Sequence, residues 1–409
     1  MNESALSNVR VLDLSRILAG PWCAQILADL GADVIKIERP GRGDDTRAWG
    51  PPYVRNANGE DTTEAAYYVC ANRGKRSVTV DIAVPAGQAV IRALAAQSDV
   101  LIENYKVGGL AQYGLDYASL ADLNPRLVYC SITGFGQTGP YAHRPGYDFV
   151  AQAMGGVMSV TGERDDLPGG GPQKVGVAVA DISTGLYATI AIQAALAYRE
   201  RSGVGQYIDM ALLDCQVAFM ANQATAYLAS QEAPKRAGNA HQTVVPYQVF
   251  ATSDSHIVVA VGNDTQFRRL CELLGTAELA DDGRFAANEK RVRNREALIP
   301  LLAARLSEQS SGHWLRALES AGVPCCPINS LDQVFADPQV KHRKMEVALE
   351  HPLAGEVHLP ASPLKLSRTP PEYRCAPPTL GQHTDEVLRE ILHYDDAQLR
   401  SLREAGTID

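Results

Sequence analysis

The chain has 409 residues, 45% of them hydrophobic and 21% charged, with 34 Gly and 23 Pro. That composition excludes a disordered, collagen-like or low-complexity protein, and at about 150 residues per domain the length leaves room for two to three domains. Lys and Arg number 38 against 47 Asp and Glu, a net charge of −9, which argues against a protein that tracks nucleic-acid phosphates.

In chain order, Val9 to Leu14 is a β-rich run and Ser15 to Gly20 a loop. Pro21 sits where a first helical residue is favoured, and the predicted helix continues to Leu30, with Gly31 ending it before a strand at Val34 to Ile37. The pattern returns as a strand at Val78 to Ile82, a helix at Pro85 to Gln97 and a strand at Val100 to Glu103. A further strand, Leu127 to Ile132, runs into the Gly-rich stretch Thr133 to Pro140. Strands alternating with helices predict a Rossmann-like parallel sheet covered on both faces, with ligands outside the carboxyl ends of the strands. Yet no G-x-G-x-x-G follows the first strand and no G-x-x-x-x-G-K-[ST] occurs. Neither a nicotinamide or flavin dinucleotide nor a P-loop nucleotide is therefore expected.

Beyond residue 225 the texture changes. Tyr247 to Thr252 and Ile257 to Val261 read as a hairpin, followed by helices near 264 to 274, 295 to 309 and 312 to 321, the first capped by Asn263 or Asp264 and the last by Ser311. A helix near Leu331 to Ala336, a hairpin within Val347 to Leu366, a Pro-rich connection and a helix from Asp385 complete the chain. The expected organisation is a large α/β domain over 1–225, a smaller α+β domain over 226–325, and a segment over 326–409 that returns to the large domain.

The eight Cys, at 23, 70, 130, 215, 271, 325, 326 and 375, form no C-x-x-C pair and no Cys/His group of zinc type. A reduced, cytoplasmic protein without a metal is the simplest expectation. Met1 to Val9 is polar and lacks the regions of a signal peptide, and the most apolar stretch, Ile182 to Tyr198, is short for a bilayer and interrupted by Ser183, Thr184, Gly185 and Gln193. That stretch is predicted as a buried helix, with no membrane partner.

Val175 to Val179 reads as a strand and Ser183 to Arg201 as a helix ending at Gly203 and Gly205. Asp181 then stands at the junction, where free N–H groups and the positive end of the helix dipole favour an anion. By position alone it is a helix cap, since Asp is a common cap residue. Spacing does not decide whether it does more.

A set of phrases carries further information. Val11-Leu12-Asp13-Leu14-Ser15-Arg16-Ile17-Leu18-Ala19-Gly20-Pro21, Leu30-Gly31-Ala32-Asp33-Val34-Ile35-Lys36-Ile37-Glu38-Arg39-Pro40, Asn72-Arg73-Gly74-Lys75-Arg76-Ser77, Glu103-Asn104-Tyr105 and Ser131-Ile132-Thr133-Gly134-Phe135-Gly136 stand in one order along the chain. Gly146-Tyr147-Asp148, Ala180-Asp181-Ile182-Ser183-Thr184-Gly185, Ala321-Gly322-Val323-Pro324 and Leu380-Gly381-Gln382-His383-Thr384 continue it. Together they resemble the class III CoA-transferase family, which includes formyl-CoA transferase, the carnitine CoA-transferases and α-methylacyl-CoA racemase.

The resemblance implies a CoA-transferase fold built as an interlocked homodimer, with an acyl-CoA and a carboxylic acid as its small-molecule partners. It implies that Asp181 is the nucleophile, passing through an aspartyl mixed anhydride and an aspartyl-CoA thioester. By the same resemblance Arg39 meets the adenine or its phosphates, with Asn72, Arg73, Lys75 and Arg76 as neighbouring candidates, and Leu18 and Ala19 line the pantetheine path. Asn104, Tyr105 and Lys106 border the nucleotide, and Thr133, Gly134, Phe135 and Gly136 approach the acyl end. Gln112 stands where formyl-CoA transferase has an Arg.

The racemase branch places a His before the Asp of its Gly-His-Asp phrase; Tyr147 is here instead, and a phenol replaces imidazole poorly near neutral pH. His143 is expected to be a polar surface residue. The stretch Arg144 to Ala153, with Gly238-Asn239-Ala240-His241 and Val245-Pro246-Tyr247, resembles the branch that uses succinyl-CoA and dicarboxylic acids such as glutarate. A dicarboxylate leaves one carboxylate unreacted, which wants a cationic or hydrogen-bonding partner. Arg144, Tyr147 and His241 are the candidates, with Gly238 and Asn239 in the matching loop, and Asp148 is expected to be a structural hydrogen-bond acceptor. An acyl-CoA racemase, an intramolecular CoA-transferase acting on a diacid and a non-catalytic CoA-binding subunit are the alternative readings.

Overall fold

Strand β1 (Arg10–Asp13), helix α1 (Ala19–Asp29) and strand β2 (Asp33–Glu38) form the first β-α-β unit. The structure is a computed structural model that describes residues 4–409; the first three residues of the polar opening stretch, Met1 to Glu3, lie outside the described residues. The sheet continues with β3 (Lys75–Thr79), helix α2 (Pro85–Ala96), β4 (Val100–Glu103) and β5 (Val128–Thr133). Helix α3 (Asp148–Met154), the 24-residue helix α4 (Val179–Ser202), β6 (Tyr207–Ala211) and helix α5 (Leu212–Phe219) follow.

The six strands are parallel in the order β3-β2-β1-β4-β5-β6. Alternate residues of each strand enter opposite layers. Val11, Val34, Val100, Ile102 and Cys130 join the core that contains α1 and α4. Leu12, Ile35, Leu101 and Tyr129 join the one that contains α2 and the C-terminal residues Val387, Leu388 and Ile391. Helices on both faces are why these strands carry apolar residues on both sides. The direction of strand order reverses between β1 and β4, the switch point where such sheets open a crevice.

The chain divides into two compact units, one of Met1–Val157, Val175–Thr225 and Lys341–Asp409, the other of Met158–Lys174 and Ala226–Val340. In the second, the antiparallel strands β7 (Tyr247–Ala251), β8 (His256–Ala260) and β9 (Cys325–Pro327) pack with helices α6 (Asp264–Leu273), α7 (Arg295–Leu306) and α8 (Ser311–Ser320). The first unit is completed by the hairpin β10 (Glu346–His351) and β11 (Gly355–Pro360) and by helices α9 (Thr384–Leu392) and α10 (Asp396–Glu404).

Several local expectations are corrected. Val175 to Val179 is not a strand: helix α4 already starts at Val179, so Asp181 lies in its first turn. The strand expected at Val78 to Ile82 is Lys75–Thr79, because Lys75 and Ser77 pair with β2 and are buried. Pro21 is the third residue of α1, which begins at Ala19. Helix α8 is capped by Ser310, whose side chain accepts the His313 N–H, not by Ser311. Asn263 caps α6, accepting the Gln266 N–H. The apolar helix is buried on one face only, its other face exposing Leu186, Tyr187 and Ile190. All eight Cys are free thiols.

Candidate active site

A cleft of about 650 Å³ opens at the carboxyl ends of the strands, lined by residues following β1 to β5 and by the 142–147 loop, with Asp181 and Leu212. Every residue lining it belongs to the first unit. The approach of its walls is set by glycines. A Cβ on Gly134 would lie 2.5 Å from the Gly146 Cα, so only glycines let the loop after β5 meet the 142–147 loop so closely. A Cβ on Gly185 would lie 2.8 Å from the Ala19 carbonyl oxygen, so glycine lets α4 reach the start of α1. Asp181, one turn earlier on α4, is thereby brought beside the loop that leads into α1.

Asp181 is 8% exposed, and among the described residues its carboxylate accepts no hydrogen bond. Burial first, and the charge of Asp148 second, push its pKa up to about 7. Asp148 does what position alone assigned to Asp181. Its Oδ1 accepts the Ala180 N–H at 2.9 Å and the Asp181 N–H at 3.4 Å, and its Oδ2 accepts from Gln152 Nε2 at 2.7 Å. The N-terminus of α4 is thus capped from another helix, and the expected role of Asp148 as an acceptor matches this geometry. Sequence reasoning missed Tyr67, whose phenol is pushed up to about 12 by burial and then by the Asp181 charge.

The cations around the cleft fall into two groups. Lys36 is paired with Asp44 at 2.9 Å, and Arg16 and Arg42 share Asp45 at 2.7 and 3.3 Å. Arg39, Lys106 and Arg144 also line the cleft and, among the described residues, form no ion pair. The Arg144 guanidinium lies over two rings, 4.6 Å from the Tyr141 centroid and 5.6 Å from that of Phe135. That stacking holds a cation in place while leaving its N–H donors free. Tyr147, at the N-cap of α3, is 61% exposed at the rim, and His143 lies exposed there too.

Of the residues expected to hold CoA, the cleft gathers Leu18, Ala19, Arg39, Asn104, Tyr105, Lys106, Thr133 and Gly134. Asn72, Arg73, Lys75 and Arg76 do not line it, a correction with a simple cause: their polar groups are already used. Lys75 Nζ is fully buried and bonds Asp13 Oδ2 at 2.9 Å, Asn72 Oδ1 at 2.9 Å and the Pro21 carbonyl at 3.0 Å. Arg73 pairs with buried Asp29 at 2.6 Å, and Arg76 with Asp33 and Glu390, both at 2.7 Å. Phe135 and Gly136 are also outside the lining; Phe135 backs Arg144, and Gly136, at φ +86°, donates its N–H to Thr133 Oγ1. Gln112 does line the cleft.

Gly238, Asn239 and His241 belong to the second unit. Gly238 has φ +57° and donates its N–H to Gly162, while His241 donates its N–H to the Tyr247 carbonyl and its Nδ1 accepts from Thr243. This turn is tied down by two local hydrogen bonds and one to Gly162.

The profile of CoA-transferase family III matches residues 6–384. A succinate–glutarate CoA-transferase of Agrobacterium fabrum is 52% identical over 386 residues, 94% of this chain and 95% of that protein. The succinyl-CoA:glutarate CoA-transferase of Homo sapiens is 45% identical over 408 residues, 100% of this chain and 91% of that protein. Among solved structures, a CAIB/BAIF family protein from Brucella suis superposes with a TM-score of 0.84 at 50% identity, covering 95% of this chain and 100% of that one.

Proposed function

The chain belongs to CoA-transferase family III, and on that premise we propose that it moves CoA from succinyl-CoA to a dicarboxylic acid, glutarate being the first acceptor to test, with Asp181 as the nucleophile. The observation that carries the reading is a nearly buried carboxylate that, among the described residues, accepts no hydrogen bond, lining a cleft at the carboxyl ends of a parallel sheet. A carboxylate stripped of donors and of most water is more basic and a better nucleophile than a solvated one.

In this reading the Asp181 carboxylate attacks the thioester carbonyl of succinyl-CoA, forming an aspartyl–succinyl anhydride and releasing the CoA thiolate. The thiolate attacks the aspartyl carbonyl, giving the aspartyl-CoA thioester and free succinate. The acceptor carboxylate attacks that thioester, forming a new anhydride and the thiolate again. Attack of the thiolate on the acceptor's acyl carbon releases the new acyl-CoA and regenerates Asp181. Each thioester made replaces one broken, so no nucleotide is consumed.

Arg39 and Lys106, which line the cleft and form no ion pair among the described residues, suit the phosphates of CoA, and Leu18 and Ala19 suit the pantetheine arm. Arg144, on its aromatic platform, suits the unreacted carboxylate of the diacid, with Tyr147 at the rim. Gly238, Asn239 and His241 stay in this reading as substrate-loop candidates on the family resemblance alone. A homodimer, whose interlocking the family resemblance implies, is supported by the apolar face of α4, where Leu186, Tyr187 and Ile190 are 47, 43 and 63% exposed. Sedimentation of an active monomer would remove that part.

The test is incubation with succinyl-CoA and a panel of mono- and dicarboxylates, reading new acyl-CoAs by mass, followed by hydroxylamine trapping. Glutaryl-CoA formation and a hydroxamate on Asp181 are expected, both absent in Asp181→Ala. Undiminished transfer by Asp181→Ala overturns the reading.

A further inference from the structure

Of the five residues between β1 and α1, Arg16, Ile17 and Leu18 line the cleft, and the middle one holds a conformation its side chain does not favour. Ile17 has φ +72°, a left-handed conformation that a β-branched side chain rarely adopts. Such strain persists only where the surroundings over-determine it. Here they do, and the pins come from other elements. Arg16 is clamped on both sides of its backbone by one side chain: its N–H donates to Asn104 Oδ1 at 2.9 Å and its carbonyl accepts from Asn104 Nδ2 at 2.6 Å. The Ile17 N–H donates to Asp44 Oδ1 at 3.2 Å, and the Ser15 carbonyl accepts from Lys36 Nζ at 2.9 Å. Lys36 and Asp44 are themselves a fully buried pair, and Asp44 Oδ1 also accepts from the Thr46 N–H and hydroxyl.

We propose that Asp44 and Asn104 are positioning residues, which hold Ile17 in the left-handed region and so fix the Arg16–Ala19 wall of the cleft beside Asp181. The proposal rests on the CoA-transferase reading above, since it assigns that wall to the coenzyme's reactive end. Two consequences follow. The amide of Asn104 serves the protein backbone and not the nucleotide alone. Asp44 cannot be replaced by its amide, because a carboxamide has one acceptor oxygen and cannot serve Lys36 together with the Ile17 and Thr46 donors.

The test is suppression by glycine, which adopts φ +72° without strain. Asp44→Asn and Asn104→Ala are each expected to lower kcat roughly 10- to 100-fold, as a small misplacement near the reacting atoms does. Adding Ile17→Gly to either is expected to recover most of that loss, because the loop then needs less holding. Hydrogen exchange of the peptide spanning residues 14–22 reads the loop without turnover: it should speed up in both single variants. Should Asp44→Asn fail to fold, Asn104→Ala, which leaves the buried pair intact, carries the same comparison. Folded variants with unchanged kcat and exchange, or a loss that Ile17→Gly does not reduce, overturn the proposal. Absence of transfer in the wild-type control instead overturns the CoA-transferase reading, leaving the exchange result to decide the loop.

Discussion

The carboxylate of Asp148 accepts the backbone N–H of Asp181 at 3.4 Å, after that of Ala180 at 2.9 Å. One acid therefore satisfies the helix terminus while the other keeps its oxygens free, and the proximity of the two charges helps raise the Asp181 pKa. Removing the Asp148 charge while keeping an acceptor should lower that pKa. In Asp148→Asn the acidic limb of the kcat/KM profile is expected to move to lower pH than in the wild type. Asp148→Ala should in addition lose the cap, about 1 kcal/mol of stability in chemical denaturation.

Protonation of Asp181 also links to folding. Its pKa is about 7 in the folded chain against an ordinary 3.8, so the folded state binds the proton more tightly. The stability tied to this group is complete below about pH 4 and is lost as pH rises through about 7. Asp181→Asn has no charge to bury. Its stability advantage over the wild type should grow between pH 5 and pH 8, reaching on the order of 1–4 kcal/mol by equilibrium unfolding. An advantage independent of pH would contradict the assignment.

Arg144 offers a separate test of acceptor choice. Arg144→Met keeps a side chain that can lie on Phe135 and Tyr141 but removes the charge. We expect KM for glutarate to rise roughly 10- to 100-fold, the loss of a charge-assisted hydrogen bond of about 1.5–3 kcal/mol, while monocarboxylates are affected little. Arg144→Lys should rescue only in part, since an ammonium reproduces neither the planar stack nor the paired donors.

Lys75 and Arg39 should separate cleanly, although both are basic residues in family phrases. Lys75→Met leaves Asp13 buried without its partner and should destabilise the protein by roughly 3–5 kcal/mol, read as a lower melting temperature. Arg39→Ala should leave the melting temperature within a degree or two and raise KM for succinyl-CoA. The reverse pattern would restore Lys75 to the coenzyme site.

Legibility in the sequence followed the range of the interaction involved. The first β-α-β unit, the hairpin of β7 and β8 and a cap of α6 at Asn263 or Asp264 are local matters of period and cap chemistry and were readable, whereas β3 starts three residues before the run that predicts it and Val175 to Val179 reads as a strand without being one. The family phrases likewise stand in the chain itself, and with them Asp181 as a candidate. The tertiary structure alone decided which polar groups are free. Lys75 meets Asp13 across 62 positions, Arg16 meets Asn104 across 88, and the helix carrying Asp181 is capped from 32 to 33 residues away. Hydrogen-bond partners at such separations are set by packing and not by neighbours in sequence. The same residue types that read alike in a phrase therefore became buried pairs at Asp13 and Lys75 and an uncommitted carboxylate at Asp181.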